Sequence, residues 1–266
     1  MSLFTDQTGR TIDLPAVPRR IISLVPSQTE YLYNLGLTDE VIGITNFCIH
    51  PNSWRSSKKR IGGTKNIHLE EILALRPDLV IANKEENVKE QVMALAEKLP
   101  VWVSDVADLD SALEMMAVIG QMTGKEIAGA GICREIVSGF AQLAKSAPIA
   151  PLRTAYLIWK DPYMTVGGDT FIHDMLTRCG CINIFAYASR YPATTLEQIR
   201  YSGLQLILLS SEPYPFGQKH IAEIQAELPE TQILLVNGEY FSWYGSRLTG
   251  AAAYFQRLMK QFQKPW

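Results

Sequence analysis

Short β-branched runs recur along the chain, each followed by a turn and then by apolar positions at helical spacing. "RIISLVP" opens the series as a buried strand that stops at Pro26, with a helix predicted from about Thr29. "VIGIT" (41–45), "DLVIAN" (78–83) and "VWVSD" (101–105) repeat the pattern, with helical stretches between them. This alternation predicts an α/β fold with a mainly parallel sheet covered on both faces.

Over residues 108–146 the strand-like runs cease and helical spacing takes over. The spacing predicts a long helical stretch that opens with a capping box, Ser111-x-x-Glu114, and is broken only around Thr123-Gly124. After "PIAPL" the alternation resumes with "TAYLIW" (154–159), "LQLILLS" (204–210) and "QILLVN" (232–237). The expected organisation is an N-terminal α/β lobe over 1–107, a helical connector over 108–147 and a C-terminal α/β lobe over 148–266. A weak repeat relates the lobes: "LEEILALRPDLVI" (69–81) and "LEQIRYSGLQLIL" (196–208) share Leu-Glu-x-Ile and a later Leu, 127 positions apart.

In an open parallel sheet, ligands bind beyond the carboxyl ends of the strands, so the loops there carry the candidate chemistry. The first half offers "PSQT" (26–29), "NFCIHP" (46–51), "GGTKN" (62–66) and "NKEEN" (83–87). The second offers "KDPYMT" (160–165), "SRYP" (189–192), "SSEPYPF" (210–216) and "NGEYFSWYGSR" (237–247). Two such sets facing each other would line a cleft between lobes. Phe47, Tyr163, Tyr191, Tyr214, Tyr240, Trp243 and Tyr244 suit a large, flat or partly apolar ligand. Lys65 and Arg247 suit its carboxylates or phosphate.

Charge narrows the partners. Of 266 residues, 25 are basic and 27 acidic, a formal charge of -2, and no basic run offers the footprint that nucleic acid requires. Four cysteines are too few for a disulfide framework, and Cys179-Gly180-Cys181 is too short for redox or zinc spacing, so Gly180 is read as a helix C-cap. Four histidines, at 50, 68, 173 and 220, argue against a multi-histidine metal centre. The hydrolase, dinucleotide and Walker motifs are missing; "TVGGDT" (165–170) is a turn or, less simply, an anion cradle. No apolar run reaches the roughly 18 residues of a membrane helix. The start "MSLFTDQTGR" lacks the features of a signal peptide, which implies a cytoplasmic protein if Met1 is the native start. If a signal peptide has been removed, the expectation is a periplasmic or other extracytoplasmic one.

"DQTGRTIDLPAVPRRIISLVPSQTEYLYNLGL", "IGGTKNIHLEEILALRPDLVIAN", "YMTVGGDTFIHDMLTRCGCINIF" and "WYGSR" together resemble the helical-backbone (class III) substrate-binding proteins of ABC importers, which carry cobalamin, haem or iron-siderophore complexes. The resemblance spans nearly the whole chain and is nearest to the cobalamin-binding branch. It implies two Rossmann-like lobes joined by one long helix, with the ligand in the cleft between them. It implies a monomer without enzymatic activity or covalent cofactor, whose ligand is a cobalt or iron chelate.

The resemblance also implies roles for single residues. Glu70 and Glu197 match the glutamates that dock onto arginines of the membrane permease. Phe47 and Tyr191 match aromatic ligand contacts, and Ser27, Lys65, Tyr163, Trp243, Tyr244 and Arg247 fall on ligand-lining stretches. The chain departs from the cobalamin branch at Thr64, where an aromatic is expected, and at His50, which replaces a tyrosine. A neutral His50 imidazole has the chemistry of an axial ligand to iron or cobalt, or of a pocket wall. The alternative reading is an intracellular enzyme or chaperone acting on a metal cofactor, with Cys48 as thiolate and His50 as base.

Overall fold

The computed structural model describes residues 2–146 and 150–262. It opens with an antiparallel ribbon, β1 (Ser2–Thr5) on β2 (Thr11–Leu14). There follow β3 (Ile21–Ser23), α1 (Pro26–Asn34), β4 (Val41–Ile44), α2 (Trp54–Ser57), β5 (Lys59–Arg60) and α3 (Leu69–Ala74). β6 (Leu79–Asn83), α4 (Lys89–Ala96) and β7 (Val101–Ser104) complete a five-stranded, wholly parallel sheet in the order β5-β4-β3-β6-β7.

Two helices come next, α5 (Leu109–Met122) and α6 (Glu126–Ala144). β8 (Leu152–Leu157), β9 (Tyr163–Met164), α7 (Phe171–Arg178), β10 (Cys181–Asn183), β11 (Ala193–Thr194) and α8 (Leu196–Arg200) follow. The chain ends with β12 (Leu206–Ser210), α9 (Gln218–Glu227), β13 (Gln232–Val236), α10 (Glu239–Ser242) and α11 (Leu248–Phe262). The second sheet is also wholly parallel, in the order β10-β8-β12-β13, and β9 pairs with β11 in a separate antiparallel ribbon.

These elements form two compact units. The first takes the chain up to Val106, then Asp110–Glu135 and Tyr244–Arg247; the second takes Ala107–Leu109, the chain from Ile136 to Trp243, and the chain from Leu248. In the first, every residue of β3, β6 and β7 is buried, apolar up to a closing Ser23, Asn83 or Ser104, because both sheet faces are covered. Tyr31 and Trp102 are fully buried there, and the Tyr31 hydroxyl donates to the carbonyl of Met116 at 2.8 Å. In the second, Ala155, Leu157, Ile207, Leu209, Ile199 and Ile224 form the core.

Two boundaries, the starts of α1 and α5, differ from those the sequence predicts, each for a local reason. α1 begins at Pro26, not near Thr29, because proline suits the first helical position, where its missing N–H is no loss. α5 begins at Leu109, whose N–H donates to Asp174 Oδ2 at 2.8 Å, so Ser111 lies inside the helix and does not cap it. α8 is capped by Thr195 and Gln198, because Thr194 is used in β11. The break between α5 and α6 falls where expected, at Gly124, with φ +65°. Gly180 follows the last turn of α7 in the left-handed region, φ +74°, as a C-terminal glycine does.

The repeat is real in structure. Leu69 and Leu196 begin α3 and α8, Ile72 and Ile199 are each fully buried, and each helix runs into the strand β6 or β12.

Candidate functional site

All strands of a parallel sheet end on one edge, so the loops after them converge there. In the first unit the segments after β4 and β5 build an open pocket of about 460 Å³ lined by Asn46, Phe47, Gly63, Thr64, Lys65 and His68. Phe47 is 60 % exposed, an unusual state for a phenylalanine unless something covers it. A Cβ on Gly63 would stand 3.2 Å from the Phe47 ring, so the missing side chain lets the aromatic lie along the loop. Gly62 turns the chain with φ +97°, and the Gly63 N–H donates to the Asn66 carbonyl at 2.9 Å.

Buried amides hold this loop. Asn87 donates from Nδ2 to the Thr64 carbonyl at 3.0 Å and accepts from the Asn83 N–H at 2.8 Å. Lys65 reaches the carbonyl of Glu85 at 2.6 Å. Ser27 sits in the first turn of α1, 3 % exposed, and its hydroxyl has no hydrogen-bond partner among the described residues.

"NFCIHP" divides by burial. Phe47 faces out and His50 is half-buried outside the pocket lining. Cys48 is fully buried, its Sγ 3.0 Å from the Thr29 hydroxyl and 3.2 Å from that of Thr45. Burial pushes its pKa above the ordinary thiol value, although both hydroxyls and Arg60 pull the other way. The thiolate that the alternative reading needs is disfavoured.

The segment Tyr244–Arg247 belongs to the first unit. Gly245, with φ +119°, packs against the Ser27 carbonyl, and Tyr244 is 5 % exposed. The Arg247 guanidinium is engaged by both carboxylate oxygens of Glu30.

In the second unit the rings fall into two groups. Tyr163 in β9 and Tyr191 before β11 are half-buried. Trp243 is nearly covered, and its indole N–H donates to Glu212 Oε1 at 2.9 Å, which also accepts from Ser242 Oγ at 2.6 Å. Tyr240 stacks on Tyr254 at 4.5 Å, and Tyr214 packs between Trp159, Phe216 and His220, so these two rings support loops. Among the aromatics the sequence did not single out, Trp159 and Tyr187 are exposed in loops that follow strands of the second unit. Trp159, 41 % exposed, was absorbed into the strand run "TAYLIW", although β8 ends at Leu157. Tyr187, 84 % exposed, lies in the loop after β10, where no motif marked it.

The glycine pair of "TVGGDT" is no anion cradle. The Gly167 N–H donates to the Arg190 carbonyl at 2.7 Å and the Gly168 N–H to that of Ala188 at 2.9 Å. Side chains there would overlap the 186–189 backbone. Among the described residues no cluster of three or more His, Cys, Asp or Glu side chains could hold a metal ion.

Glu70 and Glu197 are exposed at the second positions of α3 and α8. Their neighbour Glu71 is tied instead: Lys59 lies 2.7 Å and His68 2.8 Å away, and hydrogen bonds from both lower its pKa. Among the described residues no helix is long and apolar enough to cross a membrane.

A sequence profile described as periplasmic binding protein matches residues 21–229. A vitamin B12-binding protein of Pectobacterium atrosepticum is 29 % identical over 250 residues, covering 89 % of this chain and 87 % of that protein. One from Yersinia pestis is 27 % identical over 263 residues, covering 96 % and 91 %. The fold is similar to the crystal structure of the periplasmic vitamin B12-binding protein BtuF of Vibrio cholerae, with a TM-score of 0.81 and 23 % identity over 94 % of this chain and 100 % of that one. It is equally similar to the periplasmic haem-binding protein RhuT of Roseiflexus, with a TM-score of 0.81 and 19 % identity over 92 % and 99 %.

Proposed function

Because the chain belongs to the periplasmic binding protein family, we propose that it is the substrate-binding protein of an ABC importer and that its cargo is a metal-bearing chelate. Cobalamin or cobinamide heads the class, with haem and ferric siderophores as its other members. The protein captures the chelate outside the cytoplasmic membrane and delivers it, as a monomer, to the permease. It carries out no reaction and holds no covalent cofactor; the cobalt or iron arrives inside the cargo.

The observation that carries this reading is Phe47, held open at 60 % exposure over Gly63 beside Lys65. An exposed ring with an adjacent cation suits a corrin or porphyrin, which presents a broad apolar face and carboxylate or amide edges. Trp159, Tyr163, Tyr187 and Tyr191 offer aromatic area at the strand ends of the second unit. Relatives named as vitamin B12-binding proteins over nearly the full chain support the cobalamin end of the class. Thr64 beside Phe47 leaves room where a second ring would stand, which suits a bulkier or differently substituted edge.

Glu70 and Glu197 dock to arginines of the permease. Both are exposed in the first turn of a helix, where the helix dipole favours a negative charge that is still free to pair elsewhere. The test is uptake of radiolabelled cyanocobalamin, haem and ferric hydroxamate by cells lacking the gene. The wild-type gene restores uptake of one of them, and the doubly substituted E70A/E197A gene does not. Equal restoration by both genes rules out the docking roles.

A further inference from the structure

Two arginines hold equivalent places in the two halves of the chain. Arg20 directly precedes β3, and Arg153 is the second residue of β8. The Arg20 guanidinium donates from Nε to the carbonyls of Leu75 and Arg76, both at 3.2 Å, and from Nη2 to Leu75 at 2.6 Å. The Arg153 guanidinium donates from Nε to the Gly203 carbonyl at 3.1 Å and from Nη2 to that of Ser202 at 2.5 Å. Leu75 and Ser202 are 127 positions apart, as are Arg76 and Gly203, the spacing of the repeat itself.

The main chain completes the correspondence. The Asp78 N–H donates to the Arg20 carbonyl at 3.0 Å, and the Gln205 N–H to the Arg153 carbonyl at 2.9 Å. In return the Arg20 N–H donates to Asp78 Oδ1 at 2.8 Å and the Arg153 N–H to Gln205 Oε1 at 3.0 Å. Arg76 and Gly203 both adopt left-handed backbone, φ +46° and +70°.

Helices α3 and α8 have six and five residues, too short to keep their shape alone. Each is pinned from one side by a single fully buried isoleucine, Ile72 or Ile199. Each is then held at its C-terminal end by an arginine that donates to carbonyls of the turn that follows the helix. Contacts at the first turn, Glu71 on Lys59 in α3 and Leu196 on the core in α8, hold one end of each helix; the arginine fixes the other. Releasing the C-terminal end lets the helix tilt about those contacts, which shifts Glu70 and Glu197 on the exposed side of the first turn.

The repeat has otherwise drifted. Across 69–81 and 196–208 only Leu69, Glu70, Ile72 and Leu79 match their counterparts in type. Even the caps and turns differ, with His68 against Thr195 and Arg76 against Gly203. The buried pin, the exposed glutamate and the clamping arginine persist together.

We infer that Arg20 and Arg153 are paired positioning residues that set where Glu70 and Glu197 stand, and so act on recognition of the permease and not on capture of the cargo. This rests on the docking role given to the two glutamates. The test measures binding of the ligand-free protein to its permease in lipid nanodiscs by surface plasmon resonance, with hydrogen exchange on the free protein and cyanocobalamin titration as companions. R20A speeds exchange over 69–76 and R153A over 196–203, and each weakens permease binding about tenfold. Cyanocobalamin affinity stays at the wild-type value. R20K and R153K, which keep the charge but lack the forked donor, fall between alanine and wild type. They carry the same comparison if an alanine variant does not fold.

Wild-type permease affinity in the arginine variants, with binding lost in Glu70→Ala and Glu197→Ala, overturns the inference and leaves the docking roles standing. Wild-type affinity in the glutamate variants overturns the docking roles and the inference with them.

Discussion

Arg247 donates to both carboxylate oxygens of Glu30, from Nε at 2.9 Å and from Nη2 at 2.5 Å, with both side chains largely shielded from water. A forked, charge-assisted pair of this kind fixes orientation as well as adding energy. It ties the Tyr244–Arg247 segment to α1 beside Ser27. Removing Arg247 leaves the Glu30 carboxylate shielded without this guanidinium. Arg247→Ala is therefore expected to cost about 1–3 kcal/mol of stability, measured by urea denaturation. R247A/E30Q together should cost less than the sum of the two single changes, because the mismatch disappears.

Phe47 should behave in the opposite way. At 60 % exposure it contributes little to folding, so Phe47→Ala is expected to leave the melting temperature within about 2 °C of wild type. Its effect falls on the ligand: removing a central aromatic contact should weaken chelate binding at least about tenfold. A thermal melt checks the first half and isothermal titration the second; a stability loss with unchanged affinity would make Phe47 a packing residue.

His50 is half-buried beside Pro51 and does not line the pocket that holds Phe47. A side chain that does not ligate the metal alters affinity without altering the metal's spectrum. His50→Ala is expected to leave the visible absorption bands of the bound chelate in place. A shifted Soret band for haem, or a shifted corrin band for cobalamin, would assign His50 as an axial ligand.

Cys48 carries a pH prediction. Burial raises its thiol pKa in the fold, so the folded chain holds that proton more tightly than the unfolded one. The stabilisation is present below the ordinary thiol value of 9.0 and is lost as the pH rises above it. Iodoacetamide at about pH 8 should leave Cys48 unmodified in the native protein and alkylate it in urea. Rapid native alkylation, read by peptide mass spectrometry, would revive the thiolate reading.

Much of the fold is legible in the sequence because parallel strands buried on both faces spell themselves out. "VIGIT", "DLVIAN", "VWVSD" and "QILLVN" each fall on β4, β6, β7 or β13 within a residue or two. Caps were less legible. Ser111 has the right residue type in the right spacing, yet the Leu109 N–H finds Asp174 and the helix starts earlier. The candidate site was half legible. Phe47 was marked by its loop and its family position, but Trp159 hid at the end of a strand-like run. Arg247 offered no sign of Glu30, which lies 217 positions away. The arginine clamps were invisible for the same reason: a guanidinium bound to backbone carbonyls leaves no pattern in side-chain types.

The central claim, that this chain is a receptor for a metal chelate, is tested most directly by titrating the purified protein with cyanocobalamin, cobinamide, haem and ferric hydroxamate while following tryptophan fluorescence and visible spectra. Trp159, 41 % exposed just past the end of β8, supplies a fluorescent reporter. The account predicts that at least one of the four binds in 1:1 ratio with a Kd below about 10 µM, and that Phe47→Ala weakens it. Failure of all four to bind below that concentration would contradict it.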